Sequence, residues 1–471
     1  MSVLLADVEL LDGRRVDVGV IGDRIVGVAA GLDRDRFDDV IDGRAGALIP
    51  GLYDHHVHLL AAAAALESVR CGPPDVADRD GLAARLRAAR PGRAGWIRGV
   101  GYHESVMGLP DADALDALRD DCPIRIQHRS GRLWLFNHAA LGSLRAEHDG
   151  PPGLERDPLG SPTGRLYRSD LWLRGRLPSA LPDLGPLGRC LAAFGVTGVT
   201  DATATNDATV LTALAEARVS GALRCRILAM TPPGTGSAHH HGVTIGPVKV
   251  VVDESEDLDI DRVVGSIRAA RADGRAVAFH CATLAELVVA LSALGETQTR
   301  PGDRIEHGGV IPHELVGTLA AQDLIVVTQP SFVVERGDAY LEQVETADRN
   351  DLFPCRRLLE AGVALAAGSD APFGSLDPWA AIAGATTRRT RAGRVLGGEE
   401  TISTRRALDL FLGPADEPAR PRSVAVGAPA DLCLLSVGVP AMLAAPRAES
   451  VRLTLLGGHI VHGPSEPGPP T

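Results

Sequence analysis

Apolar and polar residues alternate through "VLLADVELLDG", "VDVGVIGDRIVGVAA" and "VIDGRAGALIPG" near the N-terminus, with Gly and Asp turns between them. That period of two predicts short strands of a small sheet. The style returns towards the other end in "SVAVGAPADLCLLSV" and "VRLTLLGGHIVHG". The two ends are therefore expected to pair into one composite β-sandwich domain, residues 1–48 with 405–463. The final "PSEPGPPT", residues 464–471, is proline-rich and poor in apolar groups, and predicts a disordered tail.

Between the ends the pattern changes to apolar runs followed by Ala-, Leu- and Arg-rich helical stretches, the alternation of βα units around a parallel sheet. Eight runs read as strands: "ALIPGLYDHHVHL", "GVTGVTDATA", "LRCRILAMT", "PVKVVVDE", "AVAFHC", "RIEHGG", "LIVVTQP" and "VALAAGSDAP". From the second to the sixth they start roughly thirty residues apart, enough for a strand, a helix and two loops. The fold class is α/β, with a (β/α)8 TIM barrel over residues 49–404. The interval after the first strand is too long for a single connection, so a helical insert is expected over about 62–188.

Composition narrows the functional classes. A chain of 471 residues, 45% hydrophobic and 23% charged, buries a large core and reads as a soluble enzyme. The formal net charge is -12, and no basic run is dense enough for a phosphate backbone, which argues against nucleic acid and against an acidic membrane surface. The seven cysteines are scattered, odd in number and without a CxxC pair, so a reducing cytoplasm is the expected compartment. No targeting or membrane-spanning segment is read. The expected partner is a small-molecule substrate; the oligomeric state stays open, with a homodimer as one option.

Candidate chemistry gathers at the strand ends. In "PGLYDHHVHL" period-two alternation puts His56 and His58 on one face and His55 and Val57 on the other. In a barrel the shared face is the interior, opening onto the catalytic mouth. Later strands each bring one ligand-type residue to that mouth: Lys249 on the fourth, His280 on the fifth, His307 on the sixth and Asp370 on the eighth. Imidazole and carboxylate suit a divalent ion such as zinc. An ammonium does not, and Lys249 is the single lysine among 48 Lys and Arg residues. Both facts are explained if Lys249 reacts with carbon dioxide. Its N-carboxylate is an anion able to bridge two metals, and an always-protonated guanidinium cannot form one.

In this order "PGLYDHHVHL", "VKVVVDE", "AVAFH", "RIEHG" and "AAGSDAP" resemble the two-metal, carboxylated-lysine pattern of the amidohydrolase superfamily. The segments "GWIRGVGY", "HRSGRLWLFNHAAL", "SPTGRLYRSD", "GVTGVTDA" and "STRRALDLFL" further resemble amidohydrolase family 3, the branch that includes N-substituted formamide deformylases. The resemblance implies hydrolysis of a non-peptide carbon-nitrogen bond by a barrel flanked with a composite sandwich. It implies that His56 and His58 hold the more buried metal, His280 and His307 the more exposed one, and that Lys249 bridges. Asp370 would ligate and act as general base. The chain departs from the family pattern at "HCATLAEL" after His280, at Asp253 and Glu254 after the fourth strand, and near Asp170, where the acidic residue usual after "PTG" is shifted.

Other residues enter as weaker candidates. Arg129, Arg132, Trp134 and His103, with Glu104, are placed as substrate contacts on the insert, a guanidinium being suited to a carboxylate. His239, His240 and His241 fall in a rim loop, read as solvated. Asp54 is expected to orient a neighbouring ligand, and Cys281, next to His280, to point into the core. Deamination is disfavoured because the glutamate that mononuclear deaminases place three residues after the fifth-strand histidine is here Thr283. Lactone or ester hydrolysis on the same site, and a non-catalytic metal-binding barrel, are the alternatives.

Overall fold

The structure is a computed structural model that describes residues 2–92, 95–146, 148–177, 181–235, 242–252 and 259–463. His239, His240, His241, Asp253, Glu254 and the tail 464–471 lie outside the described residues. The chain divides into two compact units, Met1–Leu59 with Leu184–Thr471, and Leu60–Asp183.

In the first unit eight parallel strands are hydrogen-bonded in chain order: β1 (Leu52–Val57), β2 (Val196–Asp201), β3 (Arg226–Thr231), β4 (Thr244–Val251), β5 (Val277–Cys281), β6 (Arg304–His307), β7 (Ile325–Thr328) and β8 (Ala364–Ala367). Each falls on one of the eight runs read from the sequence. The sheet closes after β8, where the Asp370 N–H donates to the His56 carbonyl at 2.7 Å and the His58 N–H to that of Ala371 at 2.9 Å. Gly368 permits this seam, because a Cβ there would lie 2.4 Å from the His56 nitrogen. Helices fill the connections, and Thr283 has a structural role in one of them. It caps the helix Leu284–Thr297 in a reciprocal box with Glu286, satisfying two otherwise unpaired N–H groups.

The same unit carries a seven-stranded sheet made from both chain ends, as the matching alternation at the two ends predicts. Leu432–Leu435 runs antiparallel to Asp39–Pro50, which lies parallel to Ser2–Leu10. Inward residues of these strands, among them Val3, Leu5, Leu48, Leu434 and Leu453, form one apolar core of the sandwich.

The second unit corrects one expectation. Besides its short helices it holds a six-stranded mixed sheet, with Ile97–Tyr102, Ile124–His128 and Leu133–Phe136 at its centre. The length of the interval predicts a helical insert, an inference that leaves unused the alternation of segments such as "IRIQH", in which Arg125 takes the polar position. Both arginines are half-buried, their guanidiniums over the Trp134 ring at 5.7 and 5.6 Å from its centroid. The cation lies on the aromatic face instead of in water. Among the described residues no helix is long and apolar enough to cross a membrane.

Candidate metal centre

Strand alternation sets the first side chains. On β1, Asp54 and His56 face one way, and Tyr53 and His55 the other, where their rings stack 4.5 Å apart. Asp54 accepts hydrogen bonds from the backbone N–H groups of His56, 3.1 Å, and Ser369, 2.9 Å, and so ties the end of β1 to the end of β8. Burial raises its carboxyl to about 6.

Two residues break the alternation. Glu306 and His307 are consecutive on β6 and would ordinarily face opposite sides, yet both meet interior groups because His307 takes a left-handed φ of 69°. Asp370, just past β8, is also left-handed at 52°. Non-glycine residues adopt this region rarely and at a cost of roughly 1–3 kcal/mol, which concentrates them at functional sites.

These bends gather the imidazoles around one carboxylate. His56 Nε2 lies 3.4 Å and His58 Nε2 3.2 Å from Asp370 Oδ1, with His307 Nδ1 4.0 Å from Asp370 Oδ2. His307 Nε2 is 2.9 Å from His280 Nδ1. His56, His307 and Asp370 each offer a ligand atom within 4.8 Å of the others'. Lys249 is buried on β4, where the charges of Glu306 and Asp370 act on its amine.

The far nitrogens of three rings are held by groups that sequence reasoning missed. His58 Nδ1 meets the Thr203 hydroxyl at 2.9 Å, and His307 Nδ1 the Gln329 carbonyl oxygen at 2.8 Å. His56 Nδ1 bonds Glu306, whose carboxylate is also clasped by Arg304. One signal was available: a charged pair two positions apart, Arg304 and Glu306, inside a four-residue barrel strand. Cys281 is buried, as expected.

Electrostatics keep the rings in their ligating form. Burial, then the nearby Lys249 charge, lowers His56 to about 3; burial, then His307, lowers His280 to about 2. Burial alone would push Asp370 up, but the His58 contact and the charges of His307 and His56 outweigh it and hold the carboxyl below its usual range. Burial also lowers the Lys249 amine, against the pull of Glu306 and Asp370. Neutral imidazole and ionised carboxylate are the forms that bind metal.

Of the buried polar atoms without a hydrogen-bond partner among the described residues, three belong to this cluster: His56 Nε2, Lys249 Nζ and Asp370 Oδ1. Each such group costs about 1–3 kcal/mol if left uncompensated. His56 and Asp370, with His307, bring their ligand atoms close enough together to fit a divalent cation.

The weaker candidates lie in the second unit, so Arg129, Arg132, Trp134, His103 and Glu104 are described within it alone. Trp134 belongs to its core, with Nε1 donating to Asp170 at 2.9 Å. His103 Nδ1 meets the Ser105 hydroxyl at 2.8 Å, and its Nε2 is 3.6 Å from Glu104. The Arg129 N–H donates to the Tyr102 carbonyl at 2.9 Å, and the Arg132 N–H to the Ser130 hydroxyl at 3.3 Å.

Comparison with known proteins gives the family and the fold. N-substituted formamide deformylase of Arthrobacter pascens is 25% identical over 450 residues, covering 81% of each chain. The putative amidohydrolase YtcJ of Bacillus subtilis (strain 168) is 24% identical over 486 residues, covering 88% of this chain and 89% of its own. An uncharacterized metal-dependent hydrolase from Pyrococcus horikoshii OT3 superposes with a TM-score of 0.76 at 18% identity, over 98% of this chain and 100% of that one. The amidohydrolase family model matches residues 39–462, from the last strand of the N-terminal half of the sandwich to the last strand of the C-terminal half. A match running through both domains and every residue of the strand-end cluster leaves one conclusion: the chain is a hydrolase and belongs to the amidohydrolase family.

Proposed function

We propose that this protein cleaves an amide-type, non-peptide carbon-nitrogen bond of a small molecule with two divalent metal ions, zinc by ligand type. His56 and His58 would hold one ion and His280 and His307 the other, with Lys249, as its N-carboxylate, between them and Asp370 as a further ligand. The observation that carries the reading is the buried, unpartnered Lys249 Nζ, whose charge acts on His56, His280 and His307 and which the carboxylates of Glu306 and Asp370 act on in turn. An amine lowered by burial is available to attack carbon dioxide, which an arginine in its place would not be.

When bound, the ions supply Lewis acidity, lowering the pKa of water towards about 7 and polarising a carbonyl oxygen. The chain supplies the proton handling. Asp370, kept anionic, takes the proton of the attacking water and returns it to the leaving nitrogen. Thr203, Gln329 and Glu306 hold the imidazoles in place during this exchange. A small substrate and a cytoplasmic setting complete the proposal.

The test is metal analysis of the purified protein, ¹³C NMR after exposure to labelled bicarbonate, and a rate screen over N-formyl amines, N-acyl amino acids, cyclic amides, lactones and esters. Bound metal, a carbamate resonance and turnover of an amide class are expected. Turnover of lactones or esters alone would overturn the bond assignment, and protein that binds no metal would overturn the whole reading.

A further inference from the structure

We infer that Glu306 is a positioning residue, one that fixes the tautomer and aim of His56 so that the lone pair on Nε2 faces the metal site. The inference rests on the metal-dependent reading above and adds to it a residue that touches neither substrate nor metal.

The argument starts from topology. β1 and β6 are separated in the sheet by β7 and β8, so a contact between their side chains spans the barrel interior. Glu306 makes such a contact. One carboxylate oxygen bonds His56 Nδ1 and also accepts from Arg304 Nη2 at 3.0 Å, and the other accepts from Arg304 Nε. Arg304 Nη2 in turn donates to the carbonyl of His55 at 2.7 Å, gripping the backbone of β1 beside the ring it serves. All three side chains are almost wholly buried, with Glu306 and His56 at 0% exposure.

An ionised carboxylate only accepts hydrogen bonds. The nitrogen facing it, Nδ1, therefore carries the proton, and Nε2 is left with the lone pair. That nitrogen is the one 3.4 Å from Asp370 and without any hydrogen-bond partner. With the other tautomer, two acceptors would face each other at Nδ1 and an N–H would point where a cation must bind. The bidentate clasp of Arg304 keeps Glu306 ionised in a dry interior and fixes the plane of its carboxylate. His58 and His307 are held by neutral groups, Thr203 and Gln329, so His56 alone among these three rings is backed by a charge. A carboxylate behind a ligating histidine raises its basicity as well as orienting it, and loss of such a partner typically costs about 10–100-fold in metal affinity.

The test compares wild type with Glu306→Gln by zinc competition against a chelator, alongside a thermal melt and ¹⁵N shifts of the His56 ring in metal-free protein. The melt shows whether the variant is folded. Zinc affinity is expected to fall by about 10–100-fold in the variant, and in wild type the ring is expected to be protonated at Nδ1 and unprotonated at Nε2. A folded variant with wild-type affinity would overturn the inference, and so would a wild-type His56 ring protonated at Nε2. The latter measurement does not depend on the variant folding. Wild-type protein that binds no zinc fails the proposed function itself, a different outcome from equal binding by the two proteins.

Discussion

Two regions of this molecule collect histidines beside a carboxylate, and they differ in what their polar atoms do. In the second unit His103 and His128 stack with centroids 6.2 Å apart, and each ring is bonded through Nδ1 to a serine two residues on. His128 Nε2 then meets Glu104 at 2.9 Å, and His103 Nε2 lies 3.6 Å from the same oxygen. Both ring nitrogens of His128 are thus hydrogen-bonded within the cluster. At the barrel mouth the groups are more deeply buried, yet His56 Nε2, Lys249 Nζ and Asp370 Oδ1 have no hydrogen-bond partner. Residue type is the same in both places. Single unpartnered atoms occur elsewhere, as at the His55 ring, but ligand atoms of His56, His307 and Asp370 lying within 4.8 Å of one another in a dry interior point to a bound group that offsets their cost.

The sharpest break of this contrast is Lys249→Arg. The variant is expected to fold but to lose activity to background and to bind less metal, checked by turnover and elemental analysis; wild-type activity with normal metal content would return Lys249 to an ordinary buried cation. Asp370→Asn comes next. It should keep metal and lose turnover by roughly 10²–10⁴-fold, the usual range for a general base, and an unchanged kcat in a metal-loaded variant would remove Asp370 from that role.

On the other side of the comparison, substitutions should act on stability. Trp134→Ala empties the core beneath Arg98 and Arg125 and should destabilise by about 3–5 kcal/mol, seen as a lower midpoint in chemical denaturation. A loss under about 1 kcal/mol would mean that the ring is not structural. The smallest effect is expected for Glu104→Gln, whose carboxylate is 54% exposed. Its melt should shift by the equivalent of about 1 kcal/mol or less, with zinc stoichiometry unchanged. Loss of one equivalent of zinc in this variant would erase the distinction between the regions.

Much of the barrel was legible because its signals are local. Eight apolar runs, evenly spaced from the second to the sixth, and ligand-type residues at the ends of five of them are readable along the chain. The placement of Trp134 was not legible in this way, since the stacking of Arg98 and Arg125 on its ring joins residues from separate strands. Glu306 was hidden for a related reason: strict alternation sends it away from His307, and only the left-handed turn at His307 brings both to the interior.

By itself the sequence determined the composite ends, the βα alternation, and the presence of the six residues His56, His58, Lys249, His280, His307 and Asp370 at strand ends, because periodicity and chemical identity are properties of the chain. The tertiary structure alone decided which atoms face one another and which are left unpaired. Distances such as His56 to Asp370, or the contact of Glu306 with His56, join residues hundreds of positions apart and depend on barrel closure. No pattern along a single strand encodes them.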